Sequence, residues 1–134
     1  MFRESIAPSD PCPCGSTAAY RDCCGRLHAG LAEAGTAEEL MRSRYSAFVA
    51  GDSAYLLRSW SSETRPRSLE LDPEQQWEGL EIVRVVRGGA NDTAGTVEFR
   101  ARFRTGGAAQ EQHEVSTFVR EDGRWVYRGA LALR

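Results

Sequence analysis

All four cysteines of the chain fall within thirteen positions, in the stretch CPCGSTAAYRDCC at residues 12–24. They form a C-x-C pair, Cys12 and Cys14, and an adjacent pair, Cys23 and Cys24. Neighbouring cysteines close only a strained ring, because a relaxed disulfide wants its Cα atoms ~4.4–6.8 Å apart. Cross pairs such as Cys12 with Cys23 are geometrically feasible, but the setting argues against them. The start, MFRESIAPSD, has no continuous apolar segment of the kind a secretory leader carries, and no apolar run approaches the ~20 residues that span a bilayer. The expected location is therefore the cytoplasm, where thiols stay reduced and clustered cysteines more often bind metal. A redox pair would call for C-x-x-C beside a βαβ pattern, and neither is present.

A metal accounts for the same residues more economically. Four thiolates at ~2.3 Å from one ion complete the tetrahedral shell usual for structural zinc. Pro13 stiffens the first pair, and Gly15 permits a tight turn whose amides can donate to sulfur. Ser16 is expected to cap a short helix, TAAYRDCC, with Gly25 just past its end. On that helix Tyr20 would shield the site, and Arg21 or Arg26 would offset the negative charge of the thiolates. Spacing alone does not fix the metal. An iron–sulfur cluster is chemically open, although adjacent ligands suit four separated cluster corners poorly. His28 can replace one thiolate, but with four cysteines present the plainer reading is a neighbouring polar residue.

The rest of the chain reads as one domain. Its 134 residues, 41% hydrophobic and 27% charged, match an ordinary globular composition, with room for a small appendage but no second core. We place the metal-binding segment at 1–30 and an α+β domain at 31–134. All 17 positive charges are arginine, which codon bias explains, and a pI near 5.7 gives nucleic-acid binding no support.

Thr36 and Glu39 form a capping box before AEELMRSRYSAFVAG, which lines up Leu40, Met41, Tyr45, Phe48 and Val49 at helical spacing. Gly51 suits the left-handed residue that ends this helix, and Asp52 caps a second one, SAYLLRSW. Asp72-Pro73-Glu74-Gln75 repeats the start signal and predicts a short helix through Trp77. From residue 80 the period changes to that of strands. LEIVRVVR (80–87), TVEFRARFR (96–104), QHEVSTFVR (112–120) and RWVYRGALAL (124–133) predict four strands, the last two joined through Asp122-Gly123. Helices followed by an antiparallel meander give an α+β domain, with the helices covering the apolar side of a curved sheet.

CPCGSTAAYRDCCG resembles the SEC-C motif, the C-x-C-x₈-C-C zinc module seen at the C-terminus of the SecA translocation ATPase and in many unrelated proteins. LMRSRYSAFVAGDSAYLLRSW, VEFRARF and HEVSTFVREDGRWVY are similar to the YchJ-like family of small bacterial proteins. The resemblance spans nearly the whole chain and is most specific in its first 60 residues. It implies zinc at Cys12, Cys14, Cys23 and Cys24, and a nuclear transport factor 2-like cone behind the zinc knuckle. It implies no activity.

Four thiolates leave zinc no open position, so the metal is expected to be structural. Catalysis would have to sit elsewhere, and the sequence holds no phosphate loop, nucleophile elbow or H-E-x-x-H. Arg44 falls inside the apolar arc of its helix, between Leu40 and Phe48, and a buried guanidinium needs acceptors. Glu98 or Glu114 is the expected partner; an anionic ligand in a pocket is the alternative. If Val115, Thr117 and Val119 face the helices, His113 faces them too and can act as a pocket base, although a satisfied structural histidine is the plainer reading. Arg100, Arg102 and Arg104 read as a solvated stripe, and Trp60, Trp77 and Trp125 as core or rim. The leading expectation is a non-enzymatic zinc-binding adaptor that recruits a protein partner and pairs as a homodimer through its exposed sheet face. The rival is a small-molecule binder, or an isomerase-, dehydratase- or hydrolase-type enzyme, using Arg44 and His113.

Overall fold

A computed structural model describes residues 6–133. Residues 1–5, half of the stretch read for a leader, lie outside the described part. Element order is α1 (Cys24–His28), α2 (Ala37–Ala50), α3 (Ser53–Arg58), then β1 (Gln75–Arg87), β2 (Ala94–Thr105), β3 (Ala108–Glu121) and β4 (Arg124–Leu133). The strands form one antiparallel sheet in the order β1-β2-β3-β4, a pure meander under a cover of helices. This is the α+β architecture expected from the sequence.

Local signals account for most boundaries. The Glu39 amide donates to the Thr36 hydroxyl at 3.1 Å, and the Glu39 carboxylate accepts from the amide of Gly35 at 2.7 Å, one residue earlier than the expected reciprocal bond. Gly51 closes α2 at φ 71°, and Asp52 caps α3 through the Tyr55 amide at 3.0 Å. Asp122 and Gly123, with φ 53° and 80°, make the turn between β3 and β4. Along β2, Val97, Phe99 and Ala101 are buried while Arg100, Arg102 and Arg104 point away and pair with Glu111, Glu81 and Glu78. Bulges in the β1–β2 and β3–β4 pairings bend the sheet into a cone.

Two expected helices are absent. Asp72 to Gln75 is a turn, with the Glu74 amide on the Asp72 carboxylate at 2.9 Å, and the chain enters β1 at Gln75. Trp77 decides this: paired opposite Phe103 and packed on Tyr45 and Phe48, it is worth more extended than helical. The stretch TAAYRDCC is also not one helix. Thr17 has φ 71°, Pro11 bridges Ala19, and a 3₁₀ turn at Tyr20–Asp22 precedes α1. Consecutive side chains on a helix diverge by about 100°, so two adjacent thiols reach one point only if the backbone breaks between them. It breaks at Cys23, with φ −127° and ψ −116°. Gly25 consequently lies inside α1 rather than past its end, where a Cβ would come 2.7 Å from the Tyr20 carbonyl oxygen.

Helix α2 is buried on two sides. Leu40, Met41, Arg44 and Tyr45 meet the sheet side, while Ser43, Ser46 and Ala47, also buried, help receive the cysteine segment and α3.

Candidate metal centre and cone pocket

The hairpin and α1 bring the sulfurs of Cys12, Cys14, Cys23 and Cys24 within 4.8 Å of one another. Cys14 and Cys23 are 3.7 Å apart and Cys23 and Cys24 4.0 Å apart, and all four are free thiols. Tetrahedral thiolates at a bond length of ~2.3 Å lie about 3.8 Å from each other. The donor set therefore fits a tetrahedral metal ion and would fill its shell. Hydrogen bonds from Cys14, then Cys24, push the Cys12 thiol far down, whereas Cys12 pushes both Cys14 and Cys24 up. A cation at the centre would favour the thiolate form of all four.

The support comes from both neighbours and α2. Ser16 Oγ lies 3.1 Å from the Cys23 sulfur, and Ser46 Oγ of α2 lies 3.6 Å from the Cys12 sulfur. The Gly15 amide donates to the Cys12 carbonyl at 3.1 Å rather than to sulfur. Arg26 donates to the Cys23 carbonyl and pairs with Glu39, whereas Arg21 is exposed. Arg42, which the sequence reading passed over, donates to the Cys14 carbonyl at 2.8 Å while paired with Glu38. Its i, i+4 acidic partner made it look like an ordinary surface residue. His28 is not among the clustered donors: its Nδ1 meets the Tyr20 hydroxyl at 2.6 Å, and its Nε2 donates to the Ser43 carbonyl at 2.8 Å.

The cone interior is open. A cavity of about 130 Å³ lies between α2 and the sheet, lined by aromatic rings and by Arg44, Gln112, Glu114 and Ser116. Arg44 is 4% exposed and makes no salt bridge among the described residues; of the two expected partners, Glu98 pairs with His113, while Glu114 shares the pocket and acts on Arg44 only through its charge. Its Nη1 donates to the Leu56 carbonyl at 2.8 Å and the Ser59 hydroxyl at 2.6 Å, and its guanidinium lies over the rings of Tyr127 and Trp60. Burial lowers its pKa to about 10.

His113 faces the other side of the sheet, against expectation. Cross-strand partners share a face, and buried Val97 is opposite Ser116, Phe99 opposite Glu114 and Ala101 opposite Gln112. The inward set of β3 is thus polar near the cavity, which is why hydrophobic alternation assigned the wrong parity. His113 pairs instead with Glu98 at 2.6 Å, the satisfied structural role. Glu114 is the carboxylate that enters the pocket, accepting from Gln112, Ser116 and Tyr127 at 3.1, 2.7 and 3.0 Å. Among the three tryptophans, Trp125 is buried with Nε1 on the Gly35 carbonyl, while Trp60 and Trp77 line the pocket.

Fold and site define a class: a nuclear transport factor 2-like α+β cone carrying an N-terminal SEC-C cysteine segment. The family model described as "YchJ, middle NTF2-like domain" matches residues 36–130, and the SEC-C motif matches residues 9–26. The chain belongs to the YchJ-like, UPF0225 family. It is 56% identical over 120 residues to a UPF0225 protein of Streptomyces coelicolor, covering 90% of this chain and 94% of that one. A UPF0225 protein of Xanthomonas campestris is 52% identical over 126 residues, covering 92% and 95%. Among solved structures, a SEC-C motif containing protein from Rhodopseudomonas palustris superposes with TM-score 0.80 at 35% identity, covering 93% of this chain and all of that one. A second, from Psychrobacter arcticus, gives TM-score 0.73 at 30% identity, covering 98% and 85%.

Proposed function

We propose that the protein is a non-enzymatic zinc-binding module. Cys12, Cys14, Cys23 and Cys24 hold one structural Zn²⁺, and the closed knuckle presents its outer side to a protein partner. The observation that carries this reading is the four-sulfur cluster at tetrahedral spacing, which leaves a bound zinc no position for water or substrate. Zinc would supply charge neutralisation and cross-linking, fixing the hairpin and α1 against α2. His113, the base expected for an enzymatic cone, is bound to Glu98 on the outer face. The partner would meet Arg21 and Asp22, which are exposed beside the cysteines. Metal analysis of the untagged full chain tests the zinc. We expect one zinc per chain, lost when all four cysteines become serine. A content far below one, or stoichiometric iron with visible absorption, overturns it.

A further inference from the structure

The cone cavity has a chemistry of its own, independent of the knuckle. Six rings surround it, those of Tyr45, Phe48, Trp60, Trp77, Phe99 and Tyr127. Its volume of about 130 Å³ is close to that of an engineered apolar cavity that takes one benzene. What distinguishes it from a packing defect is Arg44. This guanidinium is almost wholly buried, and although the Glu114 charge acts on it, it makes no direct ion pair among the described residues, which is costly for a buried charge. Nη1 is committed to the Leu56 carbonyl and the Ser59 hydroxyl, both uncharged. Nε and Nη2 meet no acceptor among the described residues. The faces of Trp60 and Tyr127, 5.2 and 4.6 Å from Cζ, hold the guanidinium in orientation without neutralising it.

Glu114, the other charge in the pocket, acts on Arg44 through its charge, but its oxygens are taken up by other donors and leave the rest of the Arg44 fork without a direct acceptor. Its oxygens already accept from Gln112, Ser116 and Tyr127. The unmet requirement is therefore for an acceptor, preferably anionic, and the surrounding surface calls for a flat apolar body. We propose that the cone pocket is a binding site for a small single-ring aromatic carboxylate, with its ring among the aromatic side chains and its carboxylate on Arg44. Recognition by guanidinium favours a carboxylate over a point acceptor, because its two oxygens match the planar fork. Glu114 makes the site discriminate: its negative charge limits the ligand to one anionic group.

Benzoate tests this on the full chain, with benzylamine and benzyl alcohol as rings of the same size carrying a cation and a neutral hydroxyl. The readout is the indole N–H resonances of Trp60 and Trp77. Benzoate should shift both saturably with Kd on the order of 1 mM or tighter. Arg44→Gln should weaken benzoate at least about tenfold, and Glu114→Gln should tighten it. Because Arg44 is buried and its variant can fail to fold, Gln112→Trp serves as a second variant. Gln112 is exposed at the rim, and the larger side chain should block entry and abolish the shifts. Benzylamine or benzyl alcohol binding as tightly as benzoate overturns the proposal. So does benzoate that shifts neither indole at about 20 mM, a concentration well above that Kd, or shifts that persist in Gln112→Trp.

Discussion

His28 shows how much a single side chain contributes to joining the knuckle to the cone. Its ring links Tyr20 to the Ser43 carbonyl of α2 and packs tilted against Tyr55, with ring centroids 4.6 Å apart. A neutral imidazole meets both bonds, with Nε2 donating and Nδ1 accepting from the Tyr20 hydroxyl. Burial lowers its pKa below the ordinary value of 6.5. The unfolded chain therefore binds a proton at higher pH than the folded one. Its contribution to stability is complete above pH 6.5 and is lost as pH falls through the folded value. We expect the melting temperature of the wild type to fall more steeply between pH 7 and 5 than that of His28→Gln, which retains a donor and an acceptor but does not titrate. Acid acts on the thiolates of both chains alike, so the difference isolates the imidazole. Parallel profiles would show that His28 does not titrate with folding.

At the scale of elements, the close seam between the end of β1 and the start of α2 sets a sharper test. The Gly88 carbonyl accepts from the Ala37 amide at 2.9 Å, and Gly88 sits at φ 78°. A Cβ there would come 2.7 Å from the Cβ of Ala37, itself fully buried, whereas one at Gly106 would meet nothing within 4 Å. Both residues have positive φ, so alanine strains either backbone. Only at Gly88 must a packed helix also move, and we expect Gly88→Ala to cost about 1–3 kcal/mol more than Gly106→Ala in chemical denaturation. Equal costs would mean the seam opens freely. This seam, like the inner face of β3, was not legible in the sequence. Caps, turns and the alternation of β2 are local, and each was readable from residues a few positions apart. Trp77 became strand through contacts with Tyr45, Phe48 and Phe103, and Ser43 and Ser46 became a docking face through residues far earlier in the chain. Polar residues inside a pocket and small residues under a docked segment both lack a periodic hydrophobic signature. The cysteine cluster was visible because its ligands are close together and chemically rare, whereas Glu114 was hidden among ordinary carboxylates.

For the whole molecule the question is whether the proposed zinc would be needed by the knuckle alone or by the cone as well. Cys12, Cys14, Cys24 and Leu27 belong to one continuous core with Leu40, Tyr45 and Leu56, which argues for a shared dependence. The sheet argues the other way. Its strands pair along their full length and bury Val97, Phe99 and Phe118 without help from the cysteines. Helix α2 joins the two, with one side against the knuckle and the other against the sheet. Removing the metal should release the hairpin and α1 because separate thiolates repel and a small loop cannot bury its own core. The side of α2 bearing Ser43, Ser46 and Ala47 then becomes wet, while its sheet side remains packed. We therefore expect chelation to lower the apparent melting temperature by about 10 °C. In hydrogen exchange, amides of residues 10–28 should lose protection first and those of α2 partly, with β2 and β3 unchanged. Uniform loss of protection would make the metal a requirement of the entire fold, and unchanged exchange at 10–28 would show that the protein contacts alone hold the knuckle in place.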